Sequence, residues 1–399
     1  MQVTPRLYER MLSEHLNSHR QMAFLSGPRQ IGKTTVSQHL ASHYLDWDNL
    51  QHREILLKGP EAVADHCQLN ELQQKIPVIS FDEIHKYSKW KIFLKGFFDT
   101  YEEQCKIIVT GSSRLDVFQK GGDSLMGRYF LYRMHPFSVG ELLRAGNTSD
   151  LTHQPEKIPR SKWQSLLKHG GFPEPLITAS DRFDRKWRPL RYRQLFRDDI
   201  RDLTRIQEMD QLEMLGRLLM DRSGDQLVVS NLANEIRSTP NTVKSWISTL
   251  CTLHFGFLVK PWFRNIEKSL RKEPKWYLRD WAVIVDPGKR AETMTACHLL
   301  KAVETWTDLG LGAFELRYLR DTRKREVDFL VTRDNTPWFL VEVKAQSEKL
   351  SENLYYFQDA TKAQHAFQVV FEKEYVDADC FHQHKPIIVP AKTFLSQIP

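Results

Sequence analysis

Cysteine is scarce, and no two of Cys67, Cys105, Cys251, Cys297 and Cys380 stand at C-x-x-C spacing. An odd, scattered set excludes a disulfide framework and a zinc ribbon, and fits reduced thiols. No apolar run approaches the ~20 residues that cross a bilayer. The opening stretch, Met1-Gln2-Val3-Thr4-Pro5-Arg6, lacks the apolar core and small-residue cleavage site of a secretory signal. The expectation is a cytoplasmic protein with no membrane partner. Charge of neither sign dominates: 57 lysines and arginines face 50 aspartates and glutamates, a net +7. That excess speaks to association with a polyanion rather than to fold. A chain of 399 residues is too long for one ordinary core and predicts several domains.

What the sequence does have is concentrated first at Phe24-Leu25-Ser26-Gly27-Pro28-Arg29-Gln30-Ile31-Gly32-Lys33-Thr34-Thr35, an apolar run closing on G-x-x-x-x-G-K-T. This spacing reads as a phosphate-binding loop between a buried strand and a helix. Gly27 and Gly32 let the chain wrap so that backbone N–H groups of residues 27–35 converge on phosphate oxygens, with the helix N-terminus facing the same anion. Lys33 then meets the β- and γ-phosphates of ATP, and Thr34 the Mg²⁺. Downstream, Ile76-Pro77-Val78-Ile79-Ser80-Phe81-Asp82-Glu83 is an apolar strand ending in two acids. In a parallel sheet it is expected beside the phosphate-loop strand, with Asp82 near Mg²⁺ and Glu83 polarising a water against the γ-phosphate. The D-E pair points to hydrolysis rather than binding alone.

A further strand, Lys106-Ile107-Ile108-Val109-Thr110, breaks at Gly111-Ser112-Ser113. Thr110, Ser112 and Ser113 are all candidates to sense the γ-phosphate, with Ser112 favoured. Arg128 follows Gly127 and is the candidate arginine finger for a neighbouring subunit's γ-phosphate; the plain alternative is a surface arginine.

This order of parts resembles the AAA-fold ATPases of prokaryotes that carry a winged helix and a C-terminal restriction-endonuclease-like domain, nearly end to end. The likeness rests on the phosphate loop, Phe81-Asp82-Glu83-Ile84-His85, Val109-Thr110-Gly111-Ser112-Ser113, the run from Gly127-Arg128 to Pro136-Phe137-Ser138, and Gly170-Gly171-Phe172-Pro173. By resemblance, Pro173 lies near adenine in a helical lid, and a homo-oligomer or ring is expected. The implied fold class is α/β: a parallel P-loop sheet, helical lid, winged helix and a C-terminal mixed sheet. Boundaries are expected at 1–145, 146–225, 226–279 and 280–399, with a polar, proline-containing linker over 145–160.

Residues 182–205 are dense in arginine, with Trp187, Tyr192 and Phe196 interleaved. Such a stretch either grips a phosphate backbone or is a helix with aromatics inward and arginines solvated or paired with Asp198, Asp199 and Asp202. Nucleotide sensing by Arg193 or Arg197 is a third reading. Residues 227–250 read as a helix-turn-helix, Ser230 capping the first helix and Thr242 opening the second. Val243, Trp246, Ile247 and Leu250 then point inward, and Asn241, Thr242, Lys244, Ser245 and Ser248 outward. Two strands follow around a basic wing with Arg264, Lys268, Arg271 and Lys272. DNA contact and pure packing are equally open for this module.

The last domain carries Glu326-Val327-Asp328-Phe329-Leu330-Val331, a hairpin, then Phe339-Leu340-Val341-Glu342-Val343-Lys344. Alternation along a strand puts Glu342 and Lys344 on one face, and the hairpin brings Asp328 beside them. This is the D…E-x-K arrangement of restriction-type nucleases: Asp328 and Glu342 sharing Mg²⁺, Lys344 positioning the attacking water. Glu292 is a possible further carboxylate, although the family usually places asparagine after it and Thr293 stands here. The function expected is ATP hydrolysis controlling DNA binding, remodelling or cleavage. The alternative is a nucleotide-gated regulator whose nuclease-like domain binds a protein or nucleic acid without cutting.

Overall fold

A computed structural model describes residues 5–111, 125–144, 150–200, 208–262, 273–347 and 349–399. It resolves into two compact units, one of residues 1–135 with 144–149, the other of 136–143 with 150–399. Among the described residues no helix is long and apolar enough to cross a membrane.

The first unit is built on five parallel strands, β1 (Met22–Ser26), β2 (His43–Asp46), β3 (Val78–Asp82), β4 (Lys106–Thr110) and β5 (Tyr129–Arg133), in the order β2-β3-β4-β1-β5. β1 is buried along its whole length, and β3 and β4 are buried after their first residue, the continuous apolar run expected of strands covered on both faces. The core gathers Phe24, Ile79, Phe81, Ile107 and Val109 with Phe93, Leu94, Phe97 and Phe98 of the helix Trp90–Tyr101. One expectation fails here. β3 does not lie beside β1, because β4 pairs with both and sits between them. Asp82 still reaches the loop because parallel strands end at the same edge of the sheet, and a side chain there crosses the intervening strand's terminus.

The second unit holds a seven-stranded mixed sheet. Its strands are β6 (Gly256–Pro261), β7 (Lys275–Leu278), β8 (Phe314–Arg320), β9 (Glu326–Arg333), β10 (Thr336–Lys344), β11 (His365–Val370) and β12 (Ile387–Pro390), in the order β12-β11-β10-β9-β8-β6-β7. Three of the four expected domains therefore fall in one unit. The reason is β6, which pairs antiparallel with β7 and continues parallel beside β8 at Lys260 and Pro261, so the hairpin after the helix pair is the edge of the C-terminal sheet. The helix pair itself spans Val229–Glu235 and Pro240–Thr252. The second helix opens at Pro240 rather than Thr242, capped by the Thr239 hydroxyl accepting from the Thr242 N–H, and Ser230 lies inside the first helix and makes no cap for it. Val243, Trp246, Ile247 and Leu250 are buried as expected; Asn241, Lys244, Ser245 and Ser248 are exposed and Thr242 is half-buried. The four basic wing residues lie outside the described residues.

The 22-residue helix Pro287–Asp308 packs its buried face on this sheet, opened by the Asp286 carboxylate accepting from the Lys289 N–H with proline at the first turn. Against it, Lys301 and Glu141 form an ion pair with both side chains out of water, and Lys301 also donates to the Pro136 carbonyl at 3.2 Å.

Candidate functional site

The phosphate loop is shaped by its glycines. Gly27 has φ +145°, and a Cβ there would lie 2.5 Å from the Met134 carbonyl oxygen; Gly32 sits at φ +99° as the residue before the helix Lys33–Leu40. Arg6, buried, ties the loop down by donating to the Ile31 carbonyl at 2.6 Å and to that of His135 at 2.7 Å. Lys33 Nζ donates to the Gly27 and Pro28 carbonyls, each at 2.9 Å, so the ammonium is held inside the loop's concavity.

Three hydroxyls converge on Asp82. Thr34 Oγ1 donates to Oδ2 at 2.8 Å, Tyr44 donates to the same oxygen, and Thr110 donates to Oδ1. Burial and the Asp82 charge push the Tyr44 phenol well up, so it stays a donor. Thr34 and Asp82 were each expected beside Mg²⁺, and they meet; Tyr44 was not expected there. Thr110, one of three sensor candidates, is spent on Asp82, and Ser112 and Ser113 lie outside the described residues. Hydroxyl and carboxylate oxygens this close are hard ligands, which fits Mg²⁺.

Glu83 stands on a left-handed backbone, φ +54°, its N–H donating to the Thr110 carbonyl at 3.1 Å. This kink turns its carboxylate away from the strand. Burial raises its pKa, opposed by the charges of Lys86, at 3.4 Å, and Lys33. Arg128 lies just before β5, where its carbonyl accepts from the Met22 N–H. Since β1 and β5 run parallel over five residues, this is the sheet edge away from the loop, about 16 Å off at ~3.3 Å per residue. Arg128 therefore does not serve its own loop, and it is held by Asp99 through Nε at 2.6 Å and Nη2 at 2.9 Å.

In the second unit the expected carboxylates come together, with an addition. Val341 pairs with Phe329, which sets Glu342 opposite Asp328, and the Val343 N–H donates to Asp328 Oδ2 at 2.8 Å. Lys344 Nζ is 2.8 Å from Glu342 Oε1, while Glu342 Oε2 is buried with no partner. Glu292 joins them despite Thr293, whose hydroxyl is turned away into a bond with Ser223 Oγ at 2.8 Å. Burial, reinforced by the Asp328 charge, pushes both Glu292 and Glu342 up to about 7. The unforeseen member is Lys275, which lies 2.5 Å from Glu326, 3.2 Å from Glu292 and 3.4 Å from Asp328. Its signal in the sequence was slight: a lysine opening an otherwise apolar strand, Lys275-Trp276-Tyr277-Leu278.

Among the described residues, the one set of three possible metal ligands within 4.8 Å of each other is elsewhere, at His169, Asp181 and Asp184. Its charges are already matched, Asp184 by Arg188 at 3.0 Å and Asp181 by Lys168 at 2.7 Å. The arginine-rich stretch follows the packing reading in part. Trp187 and Phe196 are buried, Arg188 and Arg197 are paired with Asp184 and Glu213, and Arg191 stacks on Phe172 at 3.8 Å. Arg193 and Arg217 join them around a cavity of about 460 Å³. Arg201 lies outside the described residues. Pro173 opens a short helix behind Phe172, and Gly171 is pinned where a Cβ would meet the Phe137 carbonyl at 2.6 Å.

With this geometry in place, residues 19–143 match the family model of an AAA domain. This region is similar to AAA-type P-loop domains. Residues 160–286 and 287–391 match two domains of unknown function, DUF8612 and DUF4143. Uncharacterized proteins of Mycobacterium tuberculosis and Mycobacterium bovis are each 21% identical over 273 residues, covering 66% of this chain and 55% of theirs. The chain thus spans about half the length of these curated relatives. Among solved structures, AMPPCP-bound DnaA from Aquifex aeolicus is 14% identical at a TM-score of 0.29, over 61% of this chain and 87% of that one. C. elegans PCH-2 is 16% identical at 0.24, over 60% and 66%.

Proposed function

We propose that the AAA-type domain hydrolyses ATP and that its nucleotide state governs how the second unit engages DNA. The observation that carries the first half is the contact of Thr34 with Asp82, with Glu83 turned out of line on the next residue. In this reading the backbone N–H groups of residues 27–35 and Lys33 hold the phosphates, and Thr34 and Asp82 hold Mg²⁺, which would offset charge building on the phosphate oxygens. Glu83 accepts a proton from the attacking water. Burial makes its carboxylate a stronger base than an exposed one, and the charges of Lys86 and Lys33 oppose that rise. Replacing Glu83 by Gln is expected to cut ATP turnover by about 100-fold or more while nucleotide binding persists. Steady-state hydrolysis beside a fluorescent-nucleotide titration checks this, and turnover left within a few-fold of wild type removes the assignment.

DNA is the polyanion we favour for the basic chain. The exposed face of the second helix of the pair, with Asn241, Lys244 and Ser245, has the form of a winged-helix recognition face. Asp328, Glu342 and Lys344 supply the residue types of a metal-dependent nuclease of restriction-endonuclease-like type. ATP turnover raised by DNA supports this half; indifference to single-stranded, duplex and branched DNA counts against it. Lys275 favours a second reading, a nucleotide-gated scaffold that binds a protein or nucleic acid without cutting, since a cation already sits among its carboxylates. We also assign Arg128 to a neighbouring subunit's loop, which calls for a homo-oligomer.

A further inference from the structure

Four carboxylates, Glu292 of the long helix, Glu326 and Asp328 at the start of β9 and Glu342 near the end of β10, crowd together, and gathering so many charges away from water is costly unless a cation joins them. The cation present is the chain's own. Lys275 is 4% exposed, and its ammonium, with three N–H donors, faces one oxygen each of Glu326, Glu292 and Asp328 at 2.5, 3.2 and 3.4 Å. Arg320 takes the other Glu326 oxygen at 2.8 Å, and the Tyr277 hydroxyl donates to Glu292 at 2.6 Å. Among these carboxylate oxygens, Glu342 Oε2 is buried without a partner. Lys344 takes the other Glu342 oxygen at 2.8 Å, so Lys275 neutralises the set between Glu292 and Asp328 while one oxygen of Glu342 stays unsatisfied. A divalent ion needs oxygens at ~2.1 Å, so carboxylates spread around an ammonium at these distances must close in before they can share one.

We propose that Lys275 is a resident cation that occupies the place of a divalent metal among Glu292, Asp328 and Glu342, so that metal binds only as the Lys275 ammonium withdraws. This rests on Asp328 and Glu342 being metal ligands. It makes β7, the strand before the long helix, the element that decides whether the nuclease-like cluster is loaded. Glu326 is the counter-charge that holds the ammonium in place, and Glu342 is the ligand kept ready.

The test titrates the full chain, without nucleotide, with Mn²⁺, reading free Mn²⁺ by electron paramagnetic resonance and folding by the thermal midpoint. Lys275→Met is expected to gain one site at least about tenfold tighter than any lost by Asp328→Asn in wild type, a change of about 1.4 kcal/mol. Lys275→Arg, which keeps the charge, gains none, and adding Asp328→Asn to Lys275→Met abolishes the gain. Equal Mn²⁺ affinity in wild type and Lys275→Met overturns the proposal. Should Lys275→Met lose its fold without metal, refolding in Mn²⁺ reads the same competition: recovery of the wild-type circular dichroism supports it, and failure to recover overturns it. DNA cleavage by the same proteins separates this from the nuclease reading. A gained Mn²⁺ site without cutting leaves the resident cation standing and removes the nuclease. Cutting at one Mn²⁺ requirement in both proteins does the reverse.

Discussion

At the scale of single residues, Asp82 is the best example of a site readable in kind but not in detail. Its place at the end of an apolar strand and its meeting with Thr34 follow from the spacing of two motifs. That Tyr44 would donate to it does not, because the link depends on β2 lying beside β3 with Asp46 across from Asp82, a register no local pattern encodes. Asp82 Oδ2 is buried and takes both the Thr34 and Tyr44 hydroxyls. Tyr44→Phe leaves that oxygen with one donor fewer and fills the same volume, so the loss is that of a hydrogen bond to a charged group, about 1.5–3 kcal/mol. A lowered denaturant midpoint with an unchanged slope is the expected result, and an unaltered midpoint would show that the hydroxyl contributes nothing net.

At the scale of elements, the helix Pro287–Asp308 is fastened to residues 139–143 by a histidine whose protonation state is fixed by its partners. His298 Nδ1 lies 2.7 Å from the Met294 carbonyl and so carries the proton, while Nε2 accepts from the Val139 N–H, a bond of 3.1 Å. Full burial lowers its pKa to about 4. A second proton would have to enter at Nε2 and expel the Val139 N–H. Because the folded value lies below the unfolded 6.5, the unfolded chain binds more protons in between, and stability present above pH 6.5 is lost as pH falls toward 4. At pH 5 the loss from this one group is about 2 kcal/mol, at ~1.36 kcal/mol per unit. Stability measured from pH 7 to 5 should fall less steeply in His298→Gln than in wild type; identical slopes would remove His298 as the cause. Glu292 of this helix was singled out in the sequence, but its Lys301 and His298 were not, since both answer to residues 139–143, remote in sequence. Lys275 was missed for the same reason. Its meaning lies in three carboxylates from two other elements, brought there by β6 joining the hairpin to the sheet.

At the scale of the whole chain, hydrolysis and its readout are expected to be separable by subunit mixing. Arg128 sits on the sheet edge away from its own loop, so it contributes nothing to that loop's charge, yet it is presented on the surface in a fixed pose by Asp99. If it acts on a neighbour, a protein lacking Arg128 and a protein lacking Lys33 fail for different reasons. Arg128→Ala keeps an intact loop with no finger facing it; Lys33→Ala keeps the finger with a loop that cannot hold phosphate. Each alone should lose ATP turnover by about 10³-fold, the scale on which a finger arginine works. Mixed in equal amounts, they assemble sites in which an intact loop meets an intact Arg128, and turnover returns to a fraction of wild type that rises with protein concentration. A purely structural role for the Arg128–Asp99 pair gives no such recovery, because no neighbour can repair a strand terminus within another chain. Asp99→Ala supplies the remaining control: it frees Arg128 without removing it, so turnover should persist while the concentration needed for half-maximal rate shifts.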